Sequence, residues 1–131
     1  MIELIVDGKP IPKGRPRFSK WGAYTPKTTA QYEKLVSDTF ALSKQGKLSG
    51  GLKMELRVYM PIPKVLSKKL SAEMEGTYHT GQKDLDNIIK AVSDALNSLA
   101  YDDDGQICII EASKKWSVDP RVEIKITKVE E

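Results

Sequence analysis

Asp84 and Asp86 stand two residues apart, Lys90 follows four residues after the second, and Asp102, Asp103 and Asp104 lie further along. From Asp84 to Asp104 six aspartates meet one lysine, a net charge of −5 in a chain whose total is +3. Such a concentration needs a partner: a metal ion, a basic arm of the same protein, or water. Residues two apart within a helix do not face each other. If Asp84 is the N-cap and Asp86 the second helical residue, the first is still extended and its carboxylate can swing over the first turn. Helix-terminal amides and the dipole favour ionised carboxylates there. Paired carboxylate oxygens suit Mg²⁺, which binds few protein ligands and keeps waters for a substrate phosphate to displace. Lys90, one turn beyond Asp86, would offset negative charge on phosphate oxygens or on a metal-bound water. A third carboxylate would come from Asp102, Asp103 or Asp104. Taken singly, each acid is more often a cap, a dipole residue or part of a turn.

A second chemical feature lies upstream. From Lys9 to Thr29 there are six basic residues (Lys9, Lys13, Arg15, Arg17, Lys20, Lys27) and no acid. Pro10, Pro12 and Pro16 stiffen this stretch, so Gly8 to Ser19 is expected as an extended arm. Held ready in that way, Lys13, Arg15, Arg17, Lys20 and Lys27 suit a phosphate backbone; the alternative is a solvated loop. Phe18, Trp21 and Tyr24 follow, suited to stacking on bases or to packing the arm onto the core.

The elements that must position these groups follow from periodicity. Ile2, Leu4 and Val6 predict a first strand. Thr25 and Pro26 predict the start of a helix over 27–44, with Tyr32, Leu35, Val36, Thr39, Phe40 and Ser43 on its buried face and Gly46 as its stop. Leu52, Met54, Leu56, Val58 and Met60 alternate with polar residues in a strand that Pro61 and Pro63 end. Ser67 caps a short helix to Glu75, and a loop over 76–82 carries His79, the lone histidine. Leu85, Ile89, Val92, Leu96 and Leu99, widened by Ile88 and Ala95, predict an amphipathic helix over 84–99. Ile107 to Ile110, apolar on both faces, predicts a central strand running to Trp116. Val122, Ile124 and Ile126 form a last strand, expected to pair with it as an antiparallel hairpin. Residues 129–131 are expected to fray. The expectation is one domain, 1–131, of α+β class: a small mixed, mostly antiparallel sheet with helices packed on one face.

Composition narrows the alternatives. With 131 residues, 40% of them hydrophobic, the chain can bury a core and disorder is not indicated. No apolar run reaches bilayer length. Residues 1–7 lack the features of a signal peptide, so a cytoplasmic location is expected. Cys108 is the sole cysteine, which excludes an internal disulfide and a cysteine-built zinc site. It is expected as a small buried hydrophobe. A Gly-rich phosphate loop, a Cys–His pairing and an HExxH motif are all absent.

The run Asp84-Leu85-Asp86-Asn87-Ile88-Ile89-Lys90-Ala91-Val92-Ser93-Asp94-Ala95-Leu96-Asn97, followed by Asp103-Asp104-Gly105-Gln106-Ile107, resembles the RusA family of Holliday junction resolvases, commonly carried by phages and prophages. Gly8-Lys9-Pro10 and Arg15-Pro16-Arg17 are similar to many members, and the match covers nearly the whole chain. The resemblance implies a homodimeric, Mg²⁺-dependent endodeoxyribonuclease (with Mn²⁺ as a substitute) that cuts two strands of a four-way junction symmetrically. Carried over by motif, Asp84, Asp86 and Asp104 would bind the metal, with Asp103 assisting, and Lys90 would be the catalytic lysine. Gln106 and Asn87 would support them, and Lys114 or Lys115 would match a lysine late in the next strand. The chain departs from the family in having Lys83 where many members have proline, Gly105 where alanine or serine is frequent, and an extra acid, Asp102. Two other readings stand beside this one: a non-catalytic nucleic-acid-binding protein whose aspartates are caps and turns, and a nuclease acting on other branched substrates.

Overall fold

Alternation between apolar and polar residues builds the frame. In the computed structural model, which describes residues 1–81 and 84–129, Ile2–Asp7 forms β1 with Ile2, Leu4 and Val6 buried and their neighbours exposed. Leu52–Pro61 forms β4 with the same strict alternation. Lys27–Ser43 is α1, Lys68–Met74 is α2 and Leu85–Leu96 is α3. Ile107–Ser117 is β5 and Arg121–Lys128 is β6. The four long strands form one mixed sheet in the order β1-β6-β4-β5, with β1–β6 and β6–β4 antiparallel and β4–β5 parallel. One face of that sheet is apolar. Leu4, Leu56, Val58 and Ile124 close there against Tyr32, Val36 and Phe40 of α1 and Ile88, Val92 and Leu96 of α3. The α+β class with helices on one face is as expected.

Two further short strands, Arg17–Ser19 (β2) and Gly22–Tyr24 (β3), define a small separate hairpin. The prolines do keep 8–16 irregular, but regular structure resumes within the stretch expected as a continuous arm, because no proline follows Pro16 before Pro26.

The largest correction concerns β5. It is the edge strand, paired within the sheet with β4 alone, and β6 lies on the far side of β4. The expected β5–β6 hairpin does not form. The turn after Ser117 passes over the end of β4, where Pro61 and Pro63 stop the strand, and Ile62 donates to the Ser117 carbonyl there at 3.1 Å. An apolar run gives no information about which strand is its neighbour. Ile109 and Ile110 are accordingly 42% and 48% exposed, and Cys108 is exposed, not buried.

Smaller differences follow local chemistry. Pro26, not Thr25, is the N-cap of α1, and the helix ends at Lys44 in a left-handed conformation (φ 56°), ahead of Gly46. Leu35 is exposed and the buried face of α1 is completed by Thr29 instead. Helix α3 stops at Leu96, where the chain turns through Ser98 (φ 68°), leaving Leu99 outside the core. Ser67 caps α2 as expected, accepting from the Leu70 amide at 3.2 Å. Lys83, the end of the loop expected over 76–82, and residues 130–131 of the expected fraying tail lie outside the described residues. Among the described residues no helix is long and apolar enough to cross a membrane.

Candidate active site

The acidic groups are presented by the first turn of α3 and by the short turn before β5. Asp84 is the N-cap of α3, with extended backbone (φ −68°, ψ 126°), and its side chain makes no capping hydrogen bond. Asp86 is the second helical residue. Both are exposed. The helix stands here because Ile88, Ala91, Val92, Ala95 and Leu96 bury one stripe, which turns Asp86, Lys90 and Asp94, each one turn apart, outward.

The three neighbouring aspartates of the second segment have different surroundings. Asp102 pairs with Lys47 at 2.9 Å. Asp103 caps a 3-10 turn over Asp104–Gln106, accepting from the Gly105 amide at 2.9 Å. A Cβ at position 105 would stand 2.7 Å from that carboxylate, so glycine leaves room for the cap. Gln106 completes the capping box: its Oε1 accepts from the amides of Asp102 and Asp103, and its Nε2 donates to the carbonyls of Leu48 and Gly50. Asp104 is exposed. Among the described residues, Asp84, Asp86 and Asp104 carry no side-chain hydrogen bond or ion pair, whereas Asp94, Asp102 and Asp103 all do.

Tyr101 relates the two segments. Its buried hydroxyl donates to the Ser93 carbonyl at 2.6 Å. Burial first, and then the negative charges of Asp104, Asp94 and Asp103, push its pKa well above the usual phenol range. Asp104 therefore lies within electrostatic reach of the middle of α3. Among the described residues no three acidic, histidine or cysteine side chains converge closely enough to hold a metal ion. The donor set itself suits a hard cation: carboxylate oxygens without side-chain partners among the described residues.

Lys90 is 61% exposed and lies 3.7 Å from Asp94. Asp94 also receives Lys13, at 3.3 Å. The Lys13 side chain is only 18% exposed and also bonds Glu33 of α1. Burial opposes its charge, but the Glu33 and Asp94 carboxylates outweigh that and raise its pKa. The Lys13 amide donates to the Asn87 carbonyl at 2.8 Å, and the Gly14 amide to Thr29 Oγ1 at 2.9 Å. Lys13 thus staples the basic arm to α1 and α3, while Arg15, Arg17, Lys20 and Lys27 are exposed. Sequence reasoning placed Lys13 with the phosphate-facing residues; a partner on another helix leaves no local signature.

His79 is buried against Trp116, with ring centroids 4.1 Å apart. Its amide donates to the Lys114 carbonyl and its Nδ1 accepts from the Gly81 amide. Burial first, then the charge of Lys114, lowers its pKa. The ring ties the loop before the aspartate motif to β5, and Lys114 Nζ reaches the Gly81 carbonyl at 3.4 Å.

Gln106 is the clearest residue whose contribution was underread, although Asp103-x-x-Gln106 is a capping-box spacing visible in the sequence. Gln106→Ala should lower stability by about 1 kcal/mol, because it removes the capping-box bonds to backbone groups that water then solvates. Urea denaturation checks this, as a fall in the midpoint at unchanged m-value.

Residues 7–127 match the family described as endodeoxyribonuclease RusA. The chain is also 35% identical over 137 aligned positions to the uncharacterized protein YqaN of Bacillus subtilis (strain 168), covering 98% of this chain and 96% of that protein.

Proposed function

The chain belongs to the RusA endodeoxyribonuclease family, and we propose that it is a Mg²⁺-dependent endonuclease that resolves four-way DNA junctions by paired symmetric cuts in recombination and repair, as phage-type members are expected to do. The observation that carries this reading is the sorting of the acids. Asp84, Asp86 and Asp104 are exposed and unengaged among the described residues, with Lys90 one turn after Asp86 on α3, while Asp94, Asp102 and Asp103 hold the scaffold. In this reading Asp84, Asp86 and Asp104 hold the cation, which when bound promotes ionisation of water and neutralises charge at the scissile phosphate. The reading requires the three carboxylates to meet on one ion, which a single chain does not already bring about among the described residues. Lys90 offsets charge that grows on the phosphate oxygens. Arg15, Arg17, Lys20 and Lys27 hold the DNA backbone, and Lys13 fixes the arm that carries them. Paired cuts need two sites, so the working form is a homodimer.

The test is incubation with a synthetic four-way junction in Mg²⁺, with flaps, forks and linear duplex alongside. The expected result is symmetric, ligatable nicks in the junction and none in EDTA. Binding without cleavage in either Mg²⁺ or Mn²⁺ sinks the enzyme reading and leaves a binding protein. Preferred cleavage of flaps, forks or linear duplex keeps the nuclease and removes the junction assignment.

The arm makes a separate prediction. Arg15→Ala and Arg17→Ala should each weaken binding to every DNA tested and reduce the salt slope by about 1. A titration series across salt concentrations reads this directly, and an unchanged slope would mean the arm is only solvated.

A further inference from the structure

Other large apolar side chains are exposed singly, but the β2–β3 hairpin gathers three uncovered aromatic rings within seven residues of chain. Phe18 is 82% exposed, Trp21 86% and Tyr24 49%. The hairpin forms its own two-stranded sheet, apart from the main one. Its turn is held by Ser19, whose Oγ accepts from the Trp21 amide at 3.2 Å and donates to the Gly22 carbonyl at 3.4 Å, and Gly22 supplies the positive φ of 112°. A ribbon so short has little stability of its own in water, so exposing large rings on it gains nothing for the fold.

Charge identifies what these rings meet. Arg15, Arg17, Lys20 and Lys27 are exposed around them, and no acid occurs between Lys9 and Thr29. Lys20 Nζ stands 5.0 Å from the centroid of the Trp21 ring. Cations interleaved with flat apolar faces match a strand of nucleic acid, whose phosphates take the cations and whose bases stack on the rings. Paired bases inside a linear duplex present no free face. Bases where duplex arms part do. The hairpin also sits close to the acidic residues: its arm is bonded to the Asn87 carbonyl through the Lys13 amide, and five residues of chain span at most about 18 Å.

We propose that the β2–β3 hairpin is a base-stacking probe, in which Phe18 and Trp21 stack on unstacked bases at a DNA branch point while Arg17 and Lys20 hold the flanking phosphates. The proposal rests on the branched-DNA reading above and adds to it the residues that distinguish a branch from a linear duplex.

The test uses the full chain in EDTA, so that cleavage plays no part. Wild type and the double variant Phe18→Ala/Trp21→Ala are titrated into a four-way junction carrying 2-aminopurine at the branch, and into a linear duplex carrying it centrally. Wild type should quench the probe in the junction and not in the duplex. The double variant should lose that quenching and bind the junction roughly tenfold or more weakly for each ring removed, with duplex affinity within about twofold. Phe18→Tyr/Trp21→Phe, which keeps flat rings, should restore both signals. Equal quenching by wild type and the double variant overturns the proposal, as does an equal loss of affinity for both DNAs. A change of sedimentation in the double variant overturns it too, by assigning the rings to a contact between protein chains. Ring-dependent quenching without junction cleavage in Mg²⁺ would refute the nuclease reading while supporting the hairpin. Cleavage with ring-independent binding would do the reverse, and absence of junction binding by wild type would refute both.

Discussion

Asp86→Asn should reduce junction cleavage by about 10³-fold while leaving the fold and the junction affinity in place. The substitution is nearly isosteric, so α3 and its buried stripe of Ile88, Val92 and Leu96 are untouched. Asp86 is exposed and engaged with no other side chain among the described residues, so no scaffold bond is lost. Losing the charge removes about 0.3–1 kcal/mol of favourable interaction with the helix N-terminus. Relief of repulsion from neighbouring Asp84 acts in the opposite sense. Net stability should therefore move little. Catalysis differs, because a missing carboxylate takes away charge stabilisation that counts only in the transition state, where one lost group costs about 10²–10³ or more. Initial nicking rates on a labelled junction, alongside a denaturation curve, check both halves. Cleavage at the wild-type rate would remove Asp86 from the site.

The second expectation separates two adjacent acids. Asp104→Asn should cost cleavage about 10²–10³-fold with unchanged stability. Asp103→Asn should leave cleavage within a few-fold, since asparagine caps a helical turn about as well as aspartate. Asp103→Ala should instead cost about 1 kcal/mol of stability, the usual consequence of losing a cap, because its carboxylate accepts the Gly105 amide. Asp102→Asn should cost less still, its pair with Lys47 being 46% and 76% exposed and such pairs contributing about 0–1 kcal/mol. The readouts are the same nicking rates and urea midpoints measured across the series. Equal losses of cleavage at Asp103→Asn and Asp104→Asn would show that the cap residue also serves the reaction.

These contrasts show which physical signals a sequence carries. Strands β1 and β4 and helix α3 are legible because each buries one face, and the period of that face is written in residue order. The position of β5 is not legible: Ile107 to Ile110 advertise a strand, but pairing depends on where β4 and β6 fall in space. Cys108 illustrates the consequence, since its exposure follows from an edge position that no local pattern encodes. Chemistry by residue type is legible too. Asp84, Asp86 and Lys90 stand out as candidates by residue type and spacing. Which acids are spent on structure is a matter of partners. Lys47, Lys13 and Gln106 lie far from some of their partners in sequence, and they decide that Asp102, Asp94 and Asp103 hold the scaffold. The short β2–β3 hairpin escaped for a related reason: prolines announce an irregular arm but do not say where it ends.

The most direct measurement is an anomalous difference map from crystals of the protein with a four-way junction and Mn²⁺. The account predicts a peak at coordination distance from carboxylate oxygens of Asp84, Asp86 and Asp104, beside a junction phosphate and within reach of Lys90. A peak held by Asp102 or Asp103 without Asp84 and Asp86, or bound junction with no peak at these aspartates, would contradict it.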